Sequence, residues 1–210
     1  MPEAYLNLPL LTNYNGTLNG ENVDFLSGVV GNLFFADGAL NFPGGDSYLE
    51  LPGITTNLLQ EDFTIFIMVN QTSRDRTSYL AAQDDCFIGI DDYHGTYNIW
   101  AGYEWQWSIL QADSSGMDNS GNGSIDRVYD QDIALAYVHR GTTWQLYVNG
   151  ELSVKKYRAG CIGSDNTLRL GKWGYDQMGF AGKMWNFKLF REALPLPLIK
   201  ELIQNAKQLK

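Results

Sequence analysis

The sequence predicts an all-β antiparallel sandwich with one short C-terminal helix. Strand-length segments, alternating or continuously apolar, recur along most of the chain, and residues with defined turn chemistry stand between them. The composition agrees: 22 Gly, 12 Tyr, 10 Phe and 6 Trp among 210 residues, with only 19% charged, suit many strands joined by tight turns. A chain of this length buries a full core, and a sandwich of this size commonly forms one domain.

In chain order the strand-like runs are Leu33–Phe35, Tyr48–Leu51, Phe63–Val69, Cys86–Ile90, Tyr97–Trp100, Trp105–Leu110, Ile133–His139, Trp144–Val148, Thr167–Leu170 and Phe180–Phe190. Asn15-Gly16, Asp37-Gly38, Pro43-Gly44-Gly45, His94-Gly95 and Asn149-Gly150 supply turn residues. The last lies between two strand-like runs and predicts a β-hairpin over Trp144–Leu152. At the end of the chain Pro197 suits a first helical position, and Leu198, Leu202, Ile203, Ala206 and Leu209 form an apolar stripe. The expected organisation is a single domain over 1–210: an N-terminal strand or arm over 1–32, the sandwich over 33–194 and the helix over 195–210.

Charge and hydropathy exclude whole classes of partner. The net charge of −9 repels phosphate backbones, and Lys and Arg are scattered rather than gathered in a stripe, so nucleic acid is set aside. The best apolar run, Phe63–Val69, is strand-sized, so no membrane insertion is expected. Met1-Pro2-Glu3-Ala4 has neither the positive flank nor the apolar stretch of a secretory signal. A component of a virus (phage) particle, assembled inside its host and released by lysis, needs none, and the expected setting is extracellular or the virion surface. Cys86 and Cys161 are too few for a disulfide framework or a thiolate metal site; two buried thiols or one bridge both stay open.

Five segments in order carry a family resemblance: Tyr48-Leu49-Glu50-Leu51-Pro52, Asp62–Val69, Ala134–Leu152, Leu168-Arg169-Leu170-Gly171 and Gly179–Ile203. Together, over Leu33 to Gln204, they resemble the laminin-G-like or concanavalin-A-like jelly-roll superfamily. The third segment is most alike, with Ala136-Tyr137-Val138 followed by Leu146-Tyr147-Val148-Asn149-Gly150-Glu151-Leu152. Trp185-Asn186 departs from the pattern, standing where many relatives carry acidic residues. The resemblance implies two stacked sheets with a binding surface on the concave face or on rim loops; members bind sugars, proteins, lipids or sulphated polymers, so function is argued from the site.

Glycoside hydrolysis requires two carboxylates placed across the bond. No Glu-Xaa-Asp-Xaa-Xaa-Glu array is present, and Asp126, Asp130 and Asp132, the nearest acidic cluster, lie in loop-like composition. His94 and His139 neighbour no nucleophile motif. No catalytic residue is assigned and the chain is not expected to be an enzyme. In the Asp-, Ser-, Asn- and Gly-rich segment before Arg127, Asp118, Asn122 and Asp126 fall at calcium-loop spacing, with Gly123 at the sixth place, but Tyr129 occupies the twelfth, where a bidentate Glu belongs. Weak Ca2+ binding and a merely solvated loop both remain readings of it.

Aromatics are the stronger signal. In Tyr103-Glu104-Trp105-Gln106-Trp107 the three rings alternate, so on one strand Tyr103, Trp105 and Trp107 share a face, either packing in the core or forming a platform for sugar rings. In Gly171-Lys172-Trp173-Gly174-Tyr175-Asp176-Gln177-Met178-Gly179 the glycines predict a turn, and Trp173 and Tyr175 are expected to be exposed contact residues. The leading expectation is a non-catalytic binding module for glycan or a partner protein. The alternatives are a structural or decoration subunit using the same aromatics for assembly and, less favoured, a glucanase-type hydrolase. Homo-oligomerisation is left open.

Overall fold

The structure is a computed structural model describing residues 1–55, 61–72, 78–83, 86–91, 96–103, 106–111, 129–157, 167–172 and 179–209; for the strands between 78 and 111 the description is of the backbone. Among the described residues seventeen strands run in chain order. The first seven are β1 (Leu6–Leu8), β2 (Asn15–Leu18), β3 (Glu21–Asp24), β4 (Val29–Val30), β5 (Phe34–Ala36), β6 (Ala39–Pro43) and β7 (Tyr48–Thr55). Next come β8 (Phe63–Gln71), β9 (Ser78–Gln83), β10 (Cys86–Asp91), β11 (Thr96–Tyr103) and β12 (Gln106–Gln111). The last are β13 (Ile133–Arg140), β14 (Thr143–Val148), β15 (Glu151–Tyr157), β16 (Thr167–Leu170) and β17 (Ala181–Phe190), followed by helix α1 (Leu196–Gln208).

They form two antiparallel sheets, as the strand and turn pattern predicted. The larger has 10 strands in the order β15-β14-β13-β8-β17-β1-β2-β3, with β6 also on β17 and β5 on β6; the smaller has 7, in the order β12-β11-β10-β9-β16-β7-β4. Residues 1–32 contribute β1 to β3 to the larger sheet and β4 to the smaller. Between the sheets lies the main core, where Leu6, Leu8, Ile65, Ile67, Leu135, Tyr137 and Leu189 of the larger sheet belong to one buried cluster with Leu49, Leu51, Leu168 and Leu170 of the smaller.

The two sheets differ on their outer faces. On the larger, Phe66, Met68, Ala134, Ala136, Trp185 and Phe190 are buried with Ile199, Leu202, Ile203 and Ala206 of α1. The helix therefore covers this face over β8, β13 and part of β17, and the continuously apolar β8 and β13 are explained by burial on both sides. Thr64 locks the connection into place: its hydroxyl donates to Glu192 O and accepts from Leu194 N, each at 2.8 Å.

The hairpin over Trp144–Leu152 forms as predicted. Asn149 and Gly150 both have positive φ, 52° and 83°, which a two-residue turn between twisted strands requires. Asp37-Gly38 does the same between β5 and β6. Asn15-Gly16, in contrast, is no turn: it opens β2, and the reversal comes at Asn19-Gly20, with φ of 52° and 81°. Gly16 is needed for a different reason, since a Cβ there would stand 2.2 Å from Asn7 O. Trp185-Asn186 also has a structural account. On one edge β17 pairs first with β6 and then with β1; Asn186, with φ of 54° and its N–H donating to Pro9 O at 2.8 Å, sits at the changeover, and Trp185 is buried under the helix.

Candidate functional site

Along β7 and β16 the alternation is strict. Leu49, Leu51, Leu168 and Leu170 are buried in the core, while Tyr48, Glu50 and Arg169 between them are only half-buried and lie on the outer face. No helix belongs to this face among the described residues; α1 lies on the other sheet. Directly paired residues share a face, so register carries the outer face across the sheet. The row runs from Glu50 to Arg169, Ala82, Phe87, Trp100 and Ile109. Trp107, paired with Gly102 two residues along β11 from Trp100, falls on the same face.

At one end of this row four charged groups surround one ring. The Arg169 guanidinium carbon lies 5.0 Å and Lys172 Nζ 5.8 Å from the Tyr48 ring centroid. Arg169 also bonds Glu50 Oε1, with Nη2 at 3.3 Å, and Lys172 pairs with Asp46. Each cation is thus held between an aromatic face and a carboxylate, which fixes its position and neutralises its charge locally. The cluster presents an apolar ring edged by donors and acceptors, with no excess of either sign.

The glycine-flanked loop starts here. Gly171, with φ of 94°, lies so close to the Phe42 ring that a Cβ would come within 2.5 Å of it, and Phe180 N–H donates to Gly171 O at 2.7 Å. At the far end Gly179 abuts Gly44 and Gly45. The loop is therefore tied at both ends, and its first residue, Lys172, belongs to the Tyr48 cluster. Trp173 and Tyr175 lie outside the described residues, as do Trp105, the calcium candidates Asp118, Asn122 and Asp126, and also His94 and Cys161.

One expectation is corrected. Tyr103, Trp105 and Trp107 do not lie along one strand: β11 ends at Tyr103, β12 begins at Gln106, and the two residues pair with each other across a hairpin. The chain reverses in the middle of the aromatic alternation. Tyr103 shares a face with Gln106 and Trp107 with Gly102, so the register puts Tyr103 and Trp107 on opposite faces of the sheet. The sequence reading also missed Tyr48, Glu50 and Arg169 as site residues. Their signal was present in Tyr48-Leu49-Glu50-Leu51 and Leu168-Arg169-Leu170, where polar and aromatic residues alternate with buried leucines.

The other candidates separate. His139 is buried in the main core between Phe63 and Trp144, ring centroids at 5.6 and 4.4 Å, and its Nδ1 contacts Glu61 O at 2.8 Å; this is a structural histidine. Asp132 accepts from Asn70 at 2.8 Å and Asp130 sits in a turn with φ of 57°. No group of three or more His, Cys, Asp or Glu among the described residues is arranged to hold a metal ion, and no helix among them is long and apolar enough to cross a membrane.

Two stacked antiparallel sheets, one partly covered by a helix and the other with no helix on its outer face among the described residues, make a jelly-roll sandwich. The chain belongs to the concanavalin A-like lectin/glucanases superfamily, whose family model matches residues 43–200. No curated protein matches it. Among solved structures it is similar to domain 4 of a GH43 extracellular arabinanase from Geobacillus stearothermophilus in complex with arabinotriose, with TM-score 0.63 and 18% identity, covering 83% of this chain and 82% of that one. It is also similar to the binding domain of botulinum neurotoxin DC in complex with rat synaptotagmin II, with TM-score 0.65 and 14% identity, covering 97% of this chain and 52% of the other. Trypanosoma rangeli sialidase is similar at TM-score 0.65 and 14% identity, covering 99% of this chain and 34% of the other. The chain thus spans about half of the toxin domain and a third of the sialidase. At these identities the likeness is one of fold.

Proposed function

We propose that the chain is a non-catalytic, lectin-like module that binds uncharged glycan on the outer face of the smaller sheet. The observation that carries this reading is the Tyr48 cluster: a half-buried ring beside fixed donors and acceptors, Arg169, Glu50, Lys172 and Asp46, whose charges cancel in pairs. A sugar ring stacks its C–H face on such an aromatic and trades hydroxyl hydrogen bonds with the polar groups around it. The same face continues through the register positions of Phe87, Trp100 and Trp107, so the surface extends across the sheet. In the sequence Trp173 and Tyr175 come one and three residues after Lys172, and they stay candidates for the same binding role. The arabinanase domain, with its bound arabinotriose, supports a sugar as ligand, and the toxin domain with synaptotagmin supports a protein as the second reading.

Catalysis is not proposed, because Glu50 is held by Arg169 and the sequence has no Glu-Xaa-Asp-Xaa-Xaa-Glu array. An exposed place on a virion or cell surface accords with glycan binding. The test is a neutral-glycan array read with wild type, Tyr48→Ala and Arg169→Gln, alongside a reducing-sugar assay. The expected result is binding that falls at least about tenfold in Tyr48→Ala, where a stacking anchor is lost, with no sugar released. Unchanged binding in both variants defeats the site, and sugar release by the wild type defeats the non-catalytic reading.

A further inference from the structure

The outer face of the larger sheet is not wholly covered by α1. Where β17 meets β1, β2 and β3, register aligns Lys188, Asn7, Thr17 and Asn22 in one row that starts beside Phe66 in the helix-covered layer. Exposure rises along it: Phe66 is buried, Lys188, Asn7 and Thr17 are half-buried, and Asn22 is open. Adjacent strands stand about 4.8 Å apart, so the row spans roughly 14 Å from the foot of the helix layer to the edge strand.

Lys188 differs from three other lysines of the described residues. Lys172, Lys183 and Lys200 each have a carboxylate partner, in Asp46, Asp37 and Glu151. Lys188 Nζ instead donates to the neutral Asn7 Oδ1 at 2.8 Å, with no carboxylate at ion-pair distance among the described residues. Burial pushes its ammonium below the usual lysine range, so it bears a desolvation cost without a counter-charge. The donor inventory points the same way. An ammonium has three N–H donors and no acceptor, and Asn7 adds two N–H donors while Lys188 takes one of the two lone pairs of its oxygen. The pair is therefore rich in donors and carries a charge that no carboxylate among the described residues balances, a better match for an anionic oxygen cluster than for a neutral hydroxyl.

We infer that Lys188 and Asn7 form a second binding site, which takes the carboxylate or sulfate group of an acidic saccharide, with Thr17 and Asn22 receiving the hydroxyls of its neighbouring sugar units. A saccharide fits better than an acidic peptide because the open part of the row carries short neutral hydroxyl and amide groups and no aromatic or apolar anchor of the kind protein partners use. This site lies on the opposite sheet from the Tyr48 cluster and does not depend on it.

The test is calorimetric titration of the full chain with trigalacturonate, a heparin-derived tetrasaccharide, the neutral methyl ester of trigalacturonate, and hexaglutamate. At least one of the two acidic saccharides is expected to bind, more weakly as salt rises, and to lose at least about tenfold in Lys188→Met, the loss of one charge-assisted hydrogen bond. Tyr48→Ala should leave that binding unchanged, which separates this site from the one proposed above. Methionine keeps the length of the side chain and removes a charge that burial disfavours, so the variant is expected to fold, with its melting temperature as the check. The inference fails if neither acidic saccharide binds, if Lys188→Met binds them as wild type does, if the methyl ester binds equally well, or if hexaglutamate binds through Lys188 as tightly.

Discussion

The outer faces of the two sheets solve the same problem in opposite ways. On the larger sheet, β8 begins Phe63-Thr64-Ile65-Phe66-Ile67-Met68-Val69, with all seven of these residues buried, and α1 covers the side turned away from the core there. On the smaller sheet, β16 reads Thr167-Leu168-Arg169-Leu170, alternately half-buried and buried, and the outward residues form ion pairs and ring contacts of their own. A face that needs a cover invests its residues in stability. A face that stays open while keeping aromatic residues has them available for a ligand. The comparison teaches where to look: substitutions on the covered face should act on folding, and those on the open face on binding.

The covered face gives the largest effect. Trp185 is among the largest fully buried side chains and lies in the layer with Ile199, Leu202 and Ile203. Trp185→Ala should cost about 3–5 kcal/mol, a third or more of an ordinary domain's stability, and lower the melting temperature by roughly 10 °C in calorimetry. A fall of only a degree or two would mean that the helix does not depend on this layer, and the contrast between the faces would break.

A smaller effect tests how the cover is fastened. Thr64→Val keeps the shape of the side chain and removes the hydroxyl that both donates to Glu192 O and accepts from Leu194 N. Two backbone groups next to the helix start are then left without that partner, at a cost of about 2 kcal/mol by chemical denaturation. Hydrogen exchange should show the loss concentrated in α1. Uniform destabilisation would place the helix in the same cooperative unit as the sheets.

This division was largely legible in the sequence. Phe63–Val69 and Ile133–Val138 are continuous apolar runs, the signature of strands buried on both sides, whereas Tyr48–Leu51 and Leu168–Leu170 alternate. Asn149-Gly150 could be placed because its two residues tolerate the positive φ that the turn imposes. Other features had no such mark. β1 to β4 are short strands of two to four residues with little apolar pattern, held by pairing with distant β17 and β7. β11 ends at Tyr103 and β12, from Gln106, pairs back on it, while the sequence between them holds no turn-former, so the aromatic alternation ran on unmarked past the end of one strand and into the next. The Tyr48 cluster joins residues more than a hundred positions apart, and no local pattern could announce that Arg169 meets Glu50.

The smallest expected effect on folding sharpens the comparison most. Arg169 and Glu50 are about a third exposed and their ion pair is 3.3 Å long, so water screens it and the side-chain entropy of holding it offsets much of the attraction. Arg169→Gln should therefore change stability by less than about 1 kcal/mol, a melting shift of a few degrees at most. Its effect on glycan affinity should be larger than its effect on folding, because a bound sugar excludes water from the cluster and the polar groups left without partners then cost more than they do in the free protein. Glu50→Gln separates the two roles further: it removes the charge that neutralises Arg169 while keeping an acceptor for a hydroxyl. If the pair works by presenting fixed hydrogen-bonding groups to a neutral sugar, Glu50→Gln should retain more binding than Arg169→Gln, with both variants melting near wild type. If instead Glu50→Gln unfolds the protein at temperatures where Thr64→Val still stands, the open face carries stability after all, and the distinction between the two sheets falls.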